Sequence, residues 1–190
     1  MVMLTVNELK IGTKVILDND PYSIVENEYV KPGKGQAFNR IKLRNVKSGR
    51  ILDKTFKSGE MLEIADVVDI EMQYLYNDGI IYNFMSCTTF EQFAVNKNVI
   101  GTNVLWLKEQ DICIVTVWNG DIIGINPPIF VVLKVIDTDP GLRGDTATGG
   151  SKSATLETGA VVRVPLFVNI GDALKIDTRN GSYITRIKLS

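Results

Sequence analysis

The sequence predicts an all-β protein built as three small β-barrel domains in series: an SH3-like barrel over residues 1–65, then two OB-like barrels over 66–128 and 129–190. Three observations lead there. Short runs rich in Val, Ile, Tyr and Thr alternate with turn residues throughout the 190-residue chain. The charge balance also changes sign along it, with eleven basic against eight acidic residues up to Ala65 (net +3), two against eight from Asp66 to Pro128 (net −6), and eight against six thereafter (net +2). Finally, the Asn119-Gly120 turn returns as Asn180-Gly181, 61 residues later and again between strand-like runs, which suggests one barrel architecture used twice.

Taken in order, the first segment reads as strands at Lys14–Leu17, Tyr22–Val30, Phe38–Val46 and Ile51–Phe56. Turns separate them at Asp18-Asn19-Asp20-Pro21, Pro32-Gly33-Lys34-Gly35 and Lys47-Ser48-Gly49. In the second segment Asn77-Asp78-Gly79 and Asn119-Gly120 read as hairpin turns, and Asn103 as the cap of a short helix through Val104-Leu105-Trp106-Leu107. Asn126-Pro127-Pro128 makes a stiff joint that cannot pair as a strand. A Gly/Thr/Ser-rich loop from Pro140 to Ser153 interrupts the third segment, and a loop of that length points to function.

Composition removes whole classes of activity. With 45% hydrophobic and 23% charged residues the chain is expected to fold as an ordinary globular protein. Its longest apolar run, Ile129–Leu133, stops at Lys134, far short of the ~20 residues a membrane helix needs, and Asn7, Glu8 and Lys10 break any signal-peptide core. A cytoplasmic location is therefore expected. The absence of histidine excludes Ser-His and Cys-His nucleophiles and His-zinc hydrolysis, and Cys87 and Cys113 cannot alone complete a zinc site. No cofactor, no metal and no enzymatic activity are expected. The run from Gly144 to Ser153 brushes against a phosphate-binding P-loop but misplaces its lysine by two residues.

The stretch that carries function is residues 29–52. It holds Lys31, Lys34, Arg40, Lys42, Arg44, Lys47 and Arg50 with no Asp or Glu. Pro32, Gly33 and Gly35 shape a tight turn with Lys34 alone at its exposed tip. In the strand that leaves it, Ile41 and Leu43 alternate with Arg40, Lys42 and Arg44, so the three cations share one face. A lysine-bearing turn is commonly a solvated loop that keeps a sheet edge soluble. The length of the acid-free run argues instead for a phosphate-bearing partner.

Lys31-Pro32-Gly33-Lys34-Gly35-Gln36-Ala37-Phe38, followed by a basic strand, resembles the tip of bacterial elongation factor P. The resemblance continues through Tyr74–Gly79, Asp137–Thr146 and Asp177–Tyr183, and so spans nearly the whole chain. It implies a translation elongation factor that binds both ribosomal subunits next to the peptidyl-tRNA, mimics a transfer RNA in shape, and relieves stalling at consecutive prolines. It implies further that Lys34 is extended by a lysine-modifying enzyme, by lysylation or hydroxylation, and that the protein acts as a monomer without membrane contact. Lys31, Pro32, Gly33 and Gly35 would then shape the tip. Arg40, Lys42, Arg44, Gly144, Asp145, Thr146, Tyr183 and Arg186 would contact RNA. Two other readings are an OB-fold single-stranded nucleic-acid-binding protein and a paralogous factor similar to elongation factor P.

Overall fold

A computed structural model describes residues 2–140 and 150–188. It is almost entirely β-structure, arranged as three antiparallel sheets. The first comprises β1 (Met3–Thr5), β2 (Lys14–Leu17), β3 (Asp20–Val30), β4 (Phe38–Asn45), β5 (Ile51–Lys57) and β6 (Met61–Ile64), in the order β1-β6-β2-β3-β4-β5. Its core is Val6, Leu9, Val15, Leu17, Ile24, Ile41, Leu43, Phe56 and Leu62.

The second sheet holds β7 (Val67–Asn77), β8 (Ile81–Ser86), β9 (Gln92–Asn96), β10 (Ile112–Trp118) and β11 (Asp121–Asn126). The third holds β12 (Phe130–Thr138), β13 (Ser151–Leu156), β14 (Val161–Pro165), β15 (Ala173–Asp177) and β16 (Ser182–Ile187). Their orders are β11-β10-β7-β8-β9 and β14-β13-β12-β15-β16. Counted from the first strand of each, both read fifth, fourth, first, second, third. The two five-stranded sheets therefore repeat one OB-like topology, as the recurring Asn-Gly turns suggest.

The turns explain the strand limits. Asp18 and Asn19, both at positive φ, close β2 onto β3 in two residues, so β3 begins at Asp20 and takes in Pro21, earlier than the sequence suggests. Asn119 and Gly120 do the same between β10 and β11. The Asn180-Gly181 turn is longer. Arg179 forks onto Asp177 at 2.6 and 3.0 Å, Asn180 Oδ1 accepts the Ser182 amide, and Thr178 donates to the Pro128 carbonyl.

The helix expected from Asn103 is placed differently. A single α-helical turn, α1 (Lys97–Ile100), is capped by Asn96, and a 3-10 helix follows over Gly101–Trp106. Asn103 instead donates its amide to the Ile125 carbonyl at 2.8 Å, a tertiary use that local sequence does not signal.

By backbone contacts Met1–Ile70 and Val115–Gly124 make one compact unit, and Glu71–Ile114 with Ile125–Ser190 make a second. Within the second, the 3-10 helix docks on the third sheet: Leu105 and Trp106 pack on its core, Thr158 donates to the Leu105 carbonyl at 2.6 Å, and a Cβ on Gly181 would sit 3.4 Å from the Trp106 ring. Lys152 is buried and donates to the Asp139 carbonyl at 2.7 Å, so the lysine of the apparent P-loop is a structural one. Cys113 is fully buried, which pushes its thiol up to about 12 and makes it inert at neutral pH. Among the described residues no helix is long and apolar enough to cross a membrane, and no cluster of three metal-ligating side chains occurs.

Candidate functional site

The basic stretch forms a hairpin made by β3 and β4, eleven and eight residues long, joined by residues 31–37. Lys31 and Lys34 are exposed there, and Pro32 is half-buried. Of the two glycines flanking Lys34 only Gly35 has a positive φ, +120°, where an L side chain is strained. Gly33 needs no such conformation. The eight residues of β4 alone measure about 26 Å of stem.

Along β4 the period of two holds throughout. Asn39, Ile41, Leu43 and Asn45 are buried, while Arg40 and Arg44 are exposed and Lys42 is partly so. The inward polar pair has local uses. Asn45 Oδ1 accepts the Lys47 and Ser48 amides and fixes the turn into β5. Asn39 donates to Asn27 at 2.9 Å, and Asn27 donates to the Val6 and Leu9 carbonyls, which ties the N-terminal turn across one end of the barrel. The Asn39 Oδ1 is left buried without a partner.

The outward face differs from what an acid-free run suggests. Register places Glu26 opposite Lys42 and Glu28 opposite Arg40, and both pairs close: Lys42 Nζ lies 2.8 Å from Glu26 Oε1, and Arg40 Nη1 lies 3.9 Å from Glu28 Oε2. The hydrogen bond that Lys42 donates to Glu26 raises the Lys42 pKa, with a further contribution from Asp53 on β5. Lys47 is engaged as well, 2.7 Å from Asp20 and 4.7 Å above the Trp118 ring. Among the described residues Lys31, Lys34 and Arg44 make no ion pair. Arg44 faces Ser23 on one side and Ile51 on the other.

Sequence reasoning missed Glu26, Glu28 and Asp20 because they lie outside residues 29–52. The signal was available in hairpin arithmetic. Strands closing around Lys34 must bring residues on either side of the tip into register.

The remaining residues expected to contact RNA belong to the other unit. Tyr183 is half-buried against the core of the third sheet, on which Trp106 also packs. Arg186 stacks over Phe167 at 5.3 Å and lies 3.3 Å from Asp172. Gly144, Asp145 and Thr146 lie outside the described residues.

Comparison with known proteins matches the chain in three consecutive stretches. Residues 5–62 match the KOW-like domain of elongation factor P, residues 67–125 its OB domain, and residues 131–186 its C-terminal domain. Among solved structures, the eukaryotic translation initiation factor 5A from Methanococcus jannaschii is 21% identical with a TM-score of 0.51, over 65% of this chain and 95% of that one. A translation initiation factor eIF-5A family protein from Naegleria fowleri is 16% identical with a TM-score of 0.53, over 66% and 97%. At those identities the likeness is one of fold, and about a third of this chain extends beyond it. A series of β-domains with these three matches defines a translation elongation factor rather than an enzyme. The chain belongs to the elongation factor P family.

Proposed function

We propose that this protein binds the ribosome beside the peptidyl-tRNA and speeds peptide-bond formation where consecutive prolines stall it, with Lys34 extended by a modifying enzyme. The observation that carries the reading is Lys34 itself: an exposed lysine without an ion pair among the described residues, held at the end of a long, paired hairpin. Prolyl substrates react slowly because the ring fixes φ and leaves a hindered secondary amine. Orientation alone can recover rate, and each tenfold gain needs only about 1.4 kcal/mol. A rigid stem with a reaching amine suits that task without any catalytic side chain.

Lys31, Pro32, Gly33 and Gly35 set the shape of the tip on this reading, and Arg44 with the tip lysines supplies the free positive field. Arg40 and Lys42 are secondary phosphate contacts, made only when phosphate displaces their carboxylate partners. Tyr183, Arg186 and the Gly144-Asp145-Thr146 loop make further RNA contacts. The chain divides at 65/66 and 128/129, and works as a cytoplasmic monomer.

Translation of a Pro-Pro-Pro reporter, run beside ribosome co-sedimentation, tests the reading. Lys34→Arg keeps charge and reach but removes the primary amine to which an extension attaches. It is expected to sediment with ribosomes nearly as the wild type does, and to fail at proline runs almost as badly as Lys34→Ala. Full rescue by the Arg variant, in extracts lacking any arginine-modifying enzyme, would sink the modification. Absence of wild-type protein from the ribosome pellet would sink the ribosomal reading.

A further inference from the structure

We infer that Glu26 and Glu28 are specificity-determining residues of the hairpin, occupying Lys42 and Arg40 so that RNA phosphate is engaged first by the tip lysines and Arg44 and only secondarily by Arg40 and Lys42. The proposal rests on the ribosomal reading for its biological use, but its physics can be tested apart from it.

From the tip inwards, the outer face of β3 and β4 runs as follows. Lys31 and Lys34 have no ion-pair partner among the described residues; the Val30–Phe38 rung is uncharged; the Glu28–Arg40 and Glu26–Lys42 rungs are each neutral; and Arg44 opposite Ser23 carries one net positive charge. Five cations thus present only three uncompensated charges.

Exposed ion pairs of this kind add little stability, and both partners of the Arg40–Glu28 pair are more than 60% exposed. Their consequence is for binding. A carboxylate within a few ångströms of a cation cancels its field well inside the Debye length of about 8–10 Å, so an approaching phosphate must displace it. Non-specific attraction to RNA scales with the number of phosphates a protein neutralises. A stem with three free cations would bind RNA in registers that do not present Lys34. Two neutral rungs make those registers weak and leave the tip as the strong contact. Asp53, opposite Lys42 on β5, adds to the attraction without forming an ion pair.

The test is fluorescence anisotropy of a labelled oligoribonucleotide of about twenty uridines, titrated with wild type, Glu26→Gln/Glu28→Gln, and that double variant carrying Arg40→Ala and Lys42→Ala as well. Glutamine keeps the shape of glutamate, so the double variant should melt like wild type. Releasing one or two cations should tighten oligouridine binding at low salt and steepen the log-log salt dependence by about 0.7 to 1.4. That is an extra loss of roughly three- to sevenfold in affinity between about 50 and 200 mM salt. The quadruple variant should fall back to the wild-type slope. A double variant with unchanged affinity and slope overturns the inference, as does a quadruple variant that retains the gain. Co-sedimentation of the wild type with ribosomes is scored separately: its failure removes the ribosomal reading and leaves the oligouridine comparison intact.

Discussion

The tip and the stem of the lysine hairpin are made from the same kind of sequence and behave as opposites. At the tip, Lys31 and Lys34 project without a carboxylate partner among the described residues, from a loop that shapes its backbone with Gly35. On the stem, each cation has a cross-strand neighbour that decides whether its charge is felt: Glu28 and Glu26 silence Arg40 and Lys42, and Ser23 leaves Arg44 free. A basic run in a strand is thus not a basic surface until its partners are known.

Stability should separate the two regions most sharply. Ile41, fully buried on the inner side of the stem, should cost about 2–5 kcal/mol when replaced by alanine, whereas Lys34→Ala should move stability by less than about 0.5 kcal/mol. Chemical denaturation of the two variants makes the comparison, and similar losses in both would mean that the tip is packed rather than free.

A smaller effect distinguishes the stem cations from one another. Arg44→Ala should lower the log-log salt slope of RNA or ribosome binding by about 0.7 to 0.9, and Arg40→Ala should lower it less, since its charge is already compensated. Equal reductions would show that the Glu28 pair has no influence.

The smallest effect concerns acid. The hydrogen bond from Lys47, foremost, and a weaker one from Asn45 hold the Asp20 carboxyl below its usual value. The folded protein then takes up this proton less readily than the unfolded chain. Its stabilising contribution is therefore complete above the ordinary carboxylate range and disappears as pH falls through the depressed folded value. Asp20→Asn should accordingly be slightly less stable than wild type at neutral pH, with the gap closing as pH falls below the ordinary carboxylate range. A gap of constant width would show that charge is not its cause.

Much of the fold was legible because the signals were local. The period of two in β4 placed Ile41 and Leu43 inside and the arginines outside, and paired Asn-Gly turns foretold two sheets of one topology. What escaped depended on distant partners. β1 and β6 are three and four residues long, and Met3 finds Glu63 across 60 positions, so neither strand has a pattern of its own. Asn103 reads as a cap on paper, but its side chain is spent on the Ile125 carbonyl, and Asn96 caps the helical turn that forms. For the site, the linear run of cations was plain and its exposed lysine was read directly. The acids that answer it were not seen, because pairing is a property of the hairpin. Tyr183 and Arg186 show the same limit, since the sequence does not reveal that one packs on a core and the other engages Asp172 and Phe167.

β3 contains one extra residue. Between Ile24, which faces Leu43, and Glu26, which faces Lys42, Val25 has no counterpart on β4. A regular strand would send residues 24, 26 and 28 to the same side, and with Ile24 in the core both glutamates would follow it inward. The inserted residue acts as a half-period phase shift. Below it the even-numbered positions build the barrel interior, and beyond it they build the charged exterior, so one strand is written in two frames. Deleting Val25 would restore a single frame and force a choice between burying two carboxylates and exposing Ile24, which makes this unobtrusive valine the point where the protein's packing and its electrostatics are kept apart.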